Sequence, residues 1–104
     1  MAPPPQELTD RFRLNLRRSR RRMDLSQEDL ALLASMHRTE IGLLEGGKRT
    51  PRIDTLIRLA GSLEVRPEAL LEGIQWVPDH RGHRRGAFWV PEPLGDRTER
   101  RADG

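Results

Sequence analysis

SQEDLALLASMHRTEIGLLEGGKR, residues 26–49, is the stretch on which the reading of the whole chain depends. It predicts two short helices joined by a tight turn and followed by a basic loop. Ser26 can cap the first helix, and Asp29, three residues on, completes a capping-box-like start. Leu30, Ala31, Leu33 and Ala34 recur at helical spacing and predict one apolar face. The turn falls at Ala34, Ser35 and Met36. A second helix is predicted from near His37, with Ile41 and Leu44 as apolar anchors. Gly46 and Gly47 end it, because glycine takes the left-handed C-cap conformation without steric cost. Helices this short cannot hide their apolar faces alone, so flanking segments must supply partners.

Those partners are present on both sides. Residues 1–6 are a proline-rich lead, expected to be extended and disordered. A helix is predicted over residues 7–23, with Leu8, Phe12, Leu16 and Ser19 along one side and mostly arginine along the other. After the basic loop, Thr50 and Pro51 are predicted to open a further helix, proline being tolerated at an early helical position. Its broad apolar face is read as Ile53, Leu56, Ile57, Leu59, Ala60 and Leu63. Val65 and Pro67 lead into a last short helix over 67–71, stopped by Gly73. The expected fold class is therefore all-α, with five helices over residues 7–73.

Residues 74–104 change character. Gln75-Trp76-Val77 and Ala87-Phe88-Trp89-Val90 are short β-favouring runs separated by a turn-rich basic loop. A small β-hairpin could form there, although an isolated two-stranded hairpin is marginal in water. Three of the chain's four aromatic residues sit in this extension. Trp76, Phe88 and Trp89 are therefore expected to pack on the domain or on a second subunit, while the chain after Pro91 reads as mobile.

Composition narrows the functional class. The chain has 104 residues, 35% apolar and 34% charged, with no cysteine. One domain with a small core is expected, without disulfides or thiolate metal sites. No apolar run approaches a membrane span. The start, MAPPPQE, lacks the pattern of a secretory signal, so a cytoplasmic protein is expected. Net charge is +3, unevenly spread. Residues 1–23 hold seven arginines against Glu7 and Asp10, a net of +5. That asymmetry suits an anionic partner on one face. No nucleophile–base pairing, phosphate loop or paired acid motif is present, so no enzyme and no cofactor are expected. His80 and His83 share a metal-compatible spacing, but lacking cysteine or a carboxylate cluster they read as a solvated loop, and no metal is expected.

Ser26-Gln27-Glu28, Leu30-Ala31, Ile41, Glu45-x-Gly47-x-Arg49-x-Pro51 and Leu56-x-x-Leu59-Ala60 appear in order. This pattern resembles the helix-turn-helix domain of XRE-family and lambda-repressor-like regulators over residues 12–71. The resemblance implies a lambda-repressor-like fold and a DNA-reading function. In such a motif the second helix enters the major groove, with its N-terminal side chains at base edges. With Ile41, Leu44 and Met36 inward, His37, Arg38, Thr39, Gly42 and Leu43 are left facing the groove. Arg38 has the fork for guanine, Thr39 can bond a base or touch a thymine methyl, and Leu43 is expected to be exposed. Gly42 permits close approach. Glu40 is expected to pair with Arg38 or a first-helix arginine; accepting from cytosine is the alternative.

Phosphate contacts are assigned to Gln27, at a helix N-terminus that attracts anions, and to Lys48, Arg49 and Arg52 beyond the second helix. The resemblance adds Arg17 and Arg20 on the first helix. It also makes Glu45 a structural glutamate and places Asp24 and Ser35 where the family has glycine, so Ser35 is expected at positive φ. Gly46 stands where the family has asparagine. A homodimer on double-stranded DNA is expected, with Leu70, Leu71, Ile74, Trp76, Phe88 and Trp89 as the subunit contact. Most such domains bind as two-fold dimers, and a dimeric repressor is expected here. Two alternatives remain open: an antitoxin or autoregulator whose tail holds a protein partner, or a protein-interaction module without DNA binding.

Overall fold

A computed structural model describes residues 5–80 and 86–91. The chain runs through α1 (Gln6–Arg22), α2 (Gln27–Leu33), α3 (Arg38–Glu45), α4 (Ile53–Ser62) and α5 (Pro67–Leu70). It then enters β1 (Gln75–Val77) and β2 (Ala87–Trp89). The lead at residues 1–4, the loop carrying Arg81 and His83, and the tail from residue 92 lie outside the described residues, with the expectations attached to them.

Four of the five helices end in the same way. After α1, the Leu25 N–H donates to the Arg20 carbonyl and the Asp24 N–H to that of Arg21. After α2, Met36 reaches Ala31 and Ser35 reaches Leu32; after α3, Lys48 reaches Leu43 and Gly47 reaches Leu44. After α4, Val65 reaches Ala60 and Glu64 reaches Gly61. Each is a Schellman closure, which needs a left-handed residue just past the cap. Gly47 meets that need at φ 72°, while Asp24, Ser35 and Glu64 do so at φ 60°, 55° and 56°. The positive φ expected at Ser35 is therefore present, and Asp24 and Glu64 share it.

Phe12 and Leu16 of α1 form the core with Leu30, Ala31 and Ala34, Ile41 and Leu44, Leu59, Ala60 and Leu63, and Leu70. Several sequence expectations need correction. Leu33 is exposed rather than part of the α2 apolar face: it projects about 100° of helical rotation away from Ala34, outside the arc of Leu30, Ala31 and Ala34. Ile53 and Ile57 of α4 are exposed for the same reason, beyond the arc defined by Thr55, Leu59, Ala60 and Leu63. α4 begins at Ile53 with Arg52 as its extended N-cap, so Pro51 precedes the helix instead of opening it.

Besides Ser19, three polar or charged residues of α1, Thr9, Arg11 and Asn15, are buried, against the sequence reading. Asn15 Nδ2 donates to the Leu70 and Glu72 carbonyls, both at 3.0 Å. Arg11 Nε donates to the Glu72 carbonyl at 2.9 Å. Together they satisfy the free carbonyls at the end of α5, a helix too short to close itself. Arg11 Nη1 also reaches the Pro91 carbonyl at 3.4 Å, tying the extension back to α1.

β1 and β2 pair antiparallel in the register Gln75–Trp89, Trp76–Phe88 and Val77–Ala87. Trp76 and Phe88 meet edge to face, centroids 5.1 Å apart, a geometry that adds about 0.5–1.5 kcal/mol to area burial. Gly86 lies under the Trp76 ring, where a Cβ would collide with it. Trp76, Phe88 and Trp89 remain substantially exposed, as do Leu71 and Val77. Leu70, expected at a subunit contact, is wholly buried in its own domain and is unavailable for one.

Candidate nucleic-acid interface

α2 is fixed at its start by a reciprocal cap. Ser26 Oγ accepts from the Asp29 N–H at 2.9 Å, and Asp29 Oδ2 accepts from the Ser26 N–H at 3.1 Å. The Ser26 backbone N–H holds the Asp29 carboxyl below its ordinary pKa. The Schellman closure at Ser35 then turns the chain into α3. Ile41 and Leu44 anchor α3 in the core, which rotates its opposite side outward. His37, the uncapped N-cap residue, Arg38 and Thr39 are exposed; Glu40, Gly42 and Leu43 are half-buried. Open space surrounds the point where a Gly42 Cβ would stand. Leu43 is thus less exposed than its sequence position suggested.

Glu45, at the end of α3, is the hub of the motif. Its carboxylate is buried and accepts from Arg20 Nε at 2.6 Å and Nη2 at 2.9 Å. Gln27 Nε2 donates to it at 3.2 Å, and Arg17 Nε lies 3.8 Å away. Arg17 Nη2 reaches the Glu45 carbonyl at 3.4 Å, and Arg20 Nη1 reaches that of Leu25 at 2.7 Å. Hydrogen bonding to Glu45 raises the Arg20 pKa despite its desolvation. This cluster joins α1, the α1–α2 loop, the first turn of α2 and the end of α3. It sets the angle between the two helices of the motif.

The sequence-predicted residues therefore divide. Arg38, Thr39 and His37 share the exposed start of α3, and Lys48 and Arg49 lie exposed just beyond its end. Among the described residues, none of Arg38, Lys48 and Arg49 takes part in an ion pair. Arg52 is exposed and 3.3 Å from Asp54. Arg17 is half-exposed, with one edge held by Glu45. Arg20, by contrast, turns its guanidinium inward, and its side chain keeps only 12% of its exposure. Gln27 is half-buried with its amide on Glu45.

The pairing expected of Glu40 is absent among the described residues; Glu45 takes the first-helix arginines instead. The structural role expected of Glu45 is present, but partners 18 and 25 residues apart leave no periodic trace, so Gln27 and Arg20 were not legible as those partners. A glutamate in the otherwise apolar sequence Gly42-Leu43-Leu44-Glu45 was the available signal. Among the described residues, no group of three or more histidines and acids is arranged to hold a metal. None of their helices is long and apolar enough to cross a membrane.

An exposed helix seated across a capped partner helix, with cations past its end, defines a helix-turn-helix protein. Residues 16–70 match the family model described as Helix-turn-helix, HTH_3. The chain belongs to that XRE and lambda-repressor-like family. Among solved structures, it is similar to the restriction-modification controller protein C.AhdI from Aeromonas hydrophila. The two are 34% identical, with 60% of this chain and 94% of that one covered and a TM-score of 0.58. The wild-type controller protein C.Esp1396I is 28% identical, over 62% of this chain and 83% of that one, with a TM-score of 0.58. The DNA-binding domain of the P22 c2 repressor shares the fold at 22% identity, covering 60% of this chain and 82% of that one, with a TM-score of 0.57. No curated protein sequence matches the chain significantly.

Proposed function

We propose that this protein is a sequence-specific double-stranded DNA-binding transcription regulator, acting in the cytoplasm as a dimeric repressor that reads the major groove with α3. The observation that carries the reading is the start of α3: Arg38 and Thr39 are exposed there, with Lys48 and Arg49 exposed beyond its other end. Arg38 offers two parallel donors to guanine O6 and N7, and Thr39 a hydroxyl and methyl to the neighbouring base. Gly42 lets the helix seat closely, and Leu43 presents a partly exposed apolar edge. Lys48, Arg49, Arg52 and the free edge of Arg17 take phosphates, which set register without reading sequence. The first-turn N–H groups of α2 and the outer edge of Gln27 approach the same backbone. Arg20 acts through Glu45, holding the two helices at their angle.

The likeness to controller proteins and to a repressor domain supports a regulatory role. The dimer is held through the exposed apolar side chains of Leu71, Trp76, Phe88 and Trp89 with the open edge of the half-buried Ile74, placing two α3 helices on half-sites about 34 Å apart. Selection of bound duplexes from a random pool tests the reading. It should yield a two-fold motif with that spacing, whose binding falls steeply with salt because phosphate contacts release counterions. Equal, weak retention of every duplex would sink it.

A further inference from the structure

A second set of exposed apolar side chains lies on α4 and the adjoining end of α2. Ile53 is 80% exposed, Ile57 52% and Leu33 58%. Ile53, Ile57 and Gly61 recur every four residues and so form one stripe along α4. Gly61 is exposed and helical, and nothing stands within 4 Å of the place its Cβ would occupy. The fold makes no demand for glycine there, and glycine weakens an exposed helix relative to alanine. Its effect is to leave a hole beside Ile57, in a groove of about 550 Å³ that runs between α2 and α4 past Leu33 and Ile57.

We propose that this face pairs two copies of the chain through antiparallel α4 helices, on a two-fold axis passing Ile57. In that arrangement, positions equally far from Ile57 in opposite directions face each other. Ile53, four residues before it, lies over Gly61 of the other copy, four residues after it. The most exposed large apolar side chain of the domain thereby fills the hole that the missing side chain leaves. Knob and hole occur on the same surface, as an isologous contact requires. The contact is separate from the hairpin contact, so engagement of both faces gives a four-chain species.

Sedimentation of the full-length chain over a range of concentrations tests the pairing. Gly61→Leu should weaken association roughly tenfold or more, the scale expected when an anchor loses its pocket. Its melting temperature, measured where it is fully dissociated, should equal or exceed that of the parent at the same dilution, because the helix loses a glycine. Ile53→Ala should act in the same direction. The exchanged variant Ile53→Ala/Gly61→Ile, which swaps knob and hole, should recover the parental mass. A Trp76→Ser/Trp89→Ser chain should still pair, and should become monomeric when Gly61→Leu is added. If Trp76→Ser/Trp89→Ser alone leaves the mass unchanged, the hairpin contact fails while the α4 contact stands as the sole one. Identical mass profiles for Gly61→Leu and its parent, or no recovery in the exchanged variant, overturn the proposal.

Discussion

Arg38 and Lys48 are both exposed cations near α3, yet their chemistry separates them. Arg38 presents a planar fork at the start of the helix; Lys48 presents a point charge after its end. Arg38→Ala should cost about 1–3 kcal/mol on the preferred duplex and relax discrimination at one base position. Lys48→Ala should weaken all duplexes alike and reduce the salt slope by about one ion. Fluorescence anisotropy titrations on matched and mismatched duplexes distinguish the two patterns. Residue-scale strain gives another prediction. Asp24, Ser35 and Glu64 hold positive φ without being glycine, at a cost of roughly 1–2 kcal/mol each. Replacing any one with glycine should stabilise the fold by about 1 kcal/mol, the greater flexibility of the unfolded glycine chain offsetting part of the relief. Chemical denaturation should show all three gains, with Ser35→Gly leaving DNA affinity nearly unchanged.

At the scale of the element, what matters is how α2 and α3 are held relative to α1. The Ser26–Asp29 box starts α2, and loss of its hydroxyl in Ser26→Ala should cost about 1 kcal/mol. The box also titrates. The Asp29 carboxyl has a folded pKa below its unfolded value of about 3.9, so its contribution is present above that value and is lost as pH falls through the folded one. The melting temperature of the parent should drop toward that of Asp29→Asn below about pH 4 and stay separated from it above. Glu45 is a different case, because its carboxylate is buried among donors. Glu45→Ala strands the Arg20 guanidinium, and the expected loss is about 3–5 kcal/mol. The raised Arg20 pKa means that its pairing is present below the unfolded value and is lost only as pH rises through a still higher one. The penalty for Glu45→Ala should therefore be flat from about pH 6 to pH 9.

For the whole molecule, the outcome depends on where surface is left unpaired. The helical domain hides Phe12, Leu16, Ile41, Leu59 and Leu70 but leaves aromatic and isoleucine side chains outside. Removal of residues 74–104 should lower affinity for a two-half-site duplex far more than for a single half-site, since linked binding depends on both subunits. Arg11 grips the Glu72 and Pro91 carbonyls, so Arg11→Ala should loosen the extension and reduce the protection of its backbone amides from hydrogen exchange. The melting temperature should fall less than for Glu45→Ala, whose loss reaches three helices at once.

Local signals alone determined much of this. Helix starts at Ser26 and Pro67, stops at Gly47 and Gly73, and the Phe12–Leu16 spacing of α1 are statements about neighbours three or four residues apart. Backbone sterics and helical period act over that range, so they can be read from one stretch at a time. The exposed start of α3 followed from the same period once Ile41 and Leu44 were placed inward. Tertiary structure decided the remainder. It put Arg20 and Gln27 on Glu45, Asn15 and Arg11 on the end of α5, and Leu70 in the core, leaving Ile53, Ile57 and Leu33 outside. Each of these is a contest between a side chain's water and a partner brought from another helix. Its result depends on helix rotation and distance in space, which spacing along the chain does not contain.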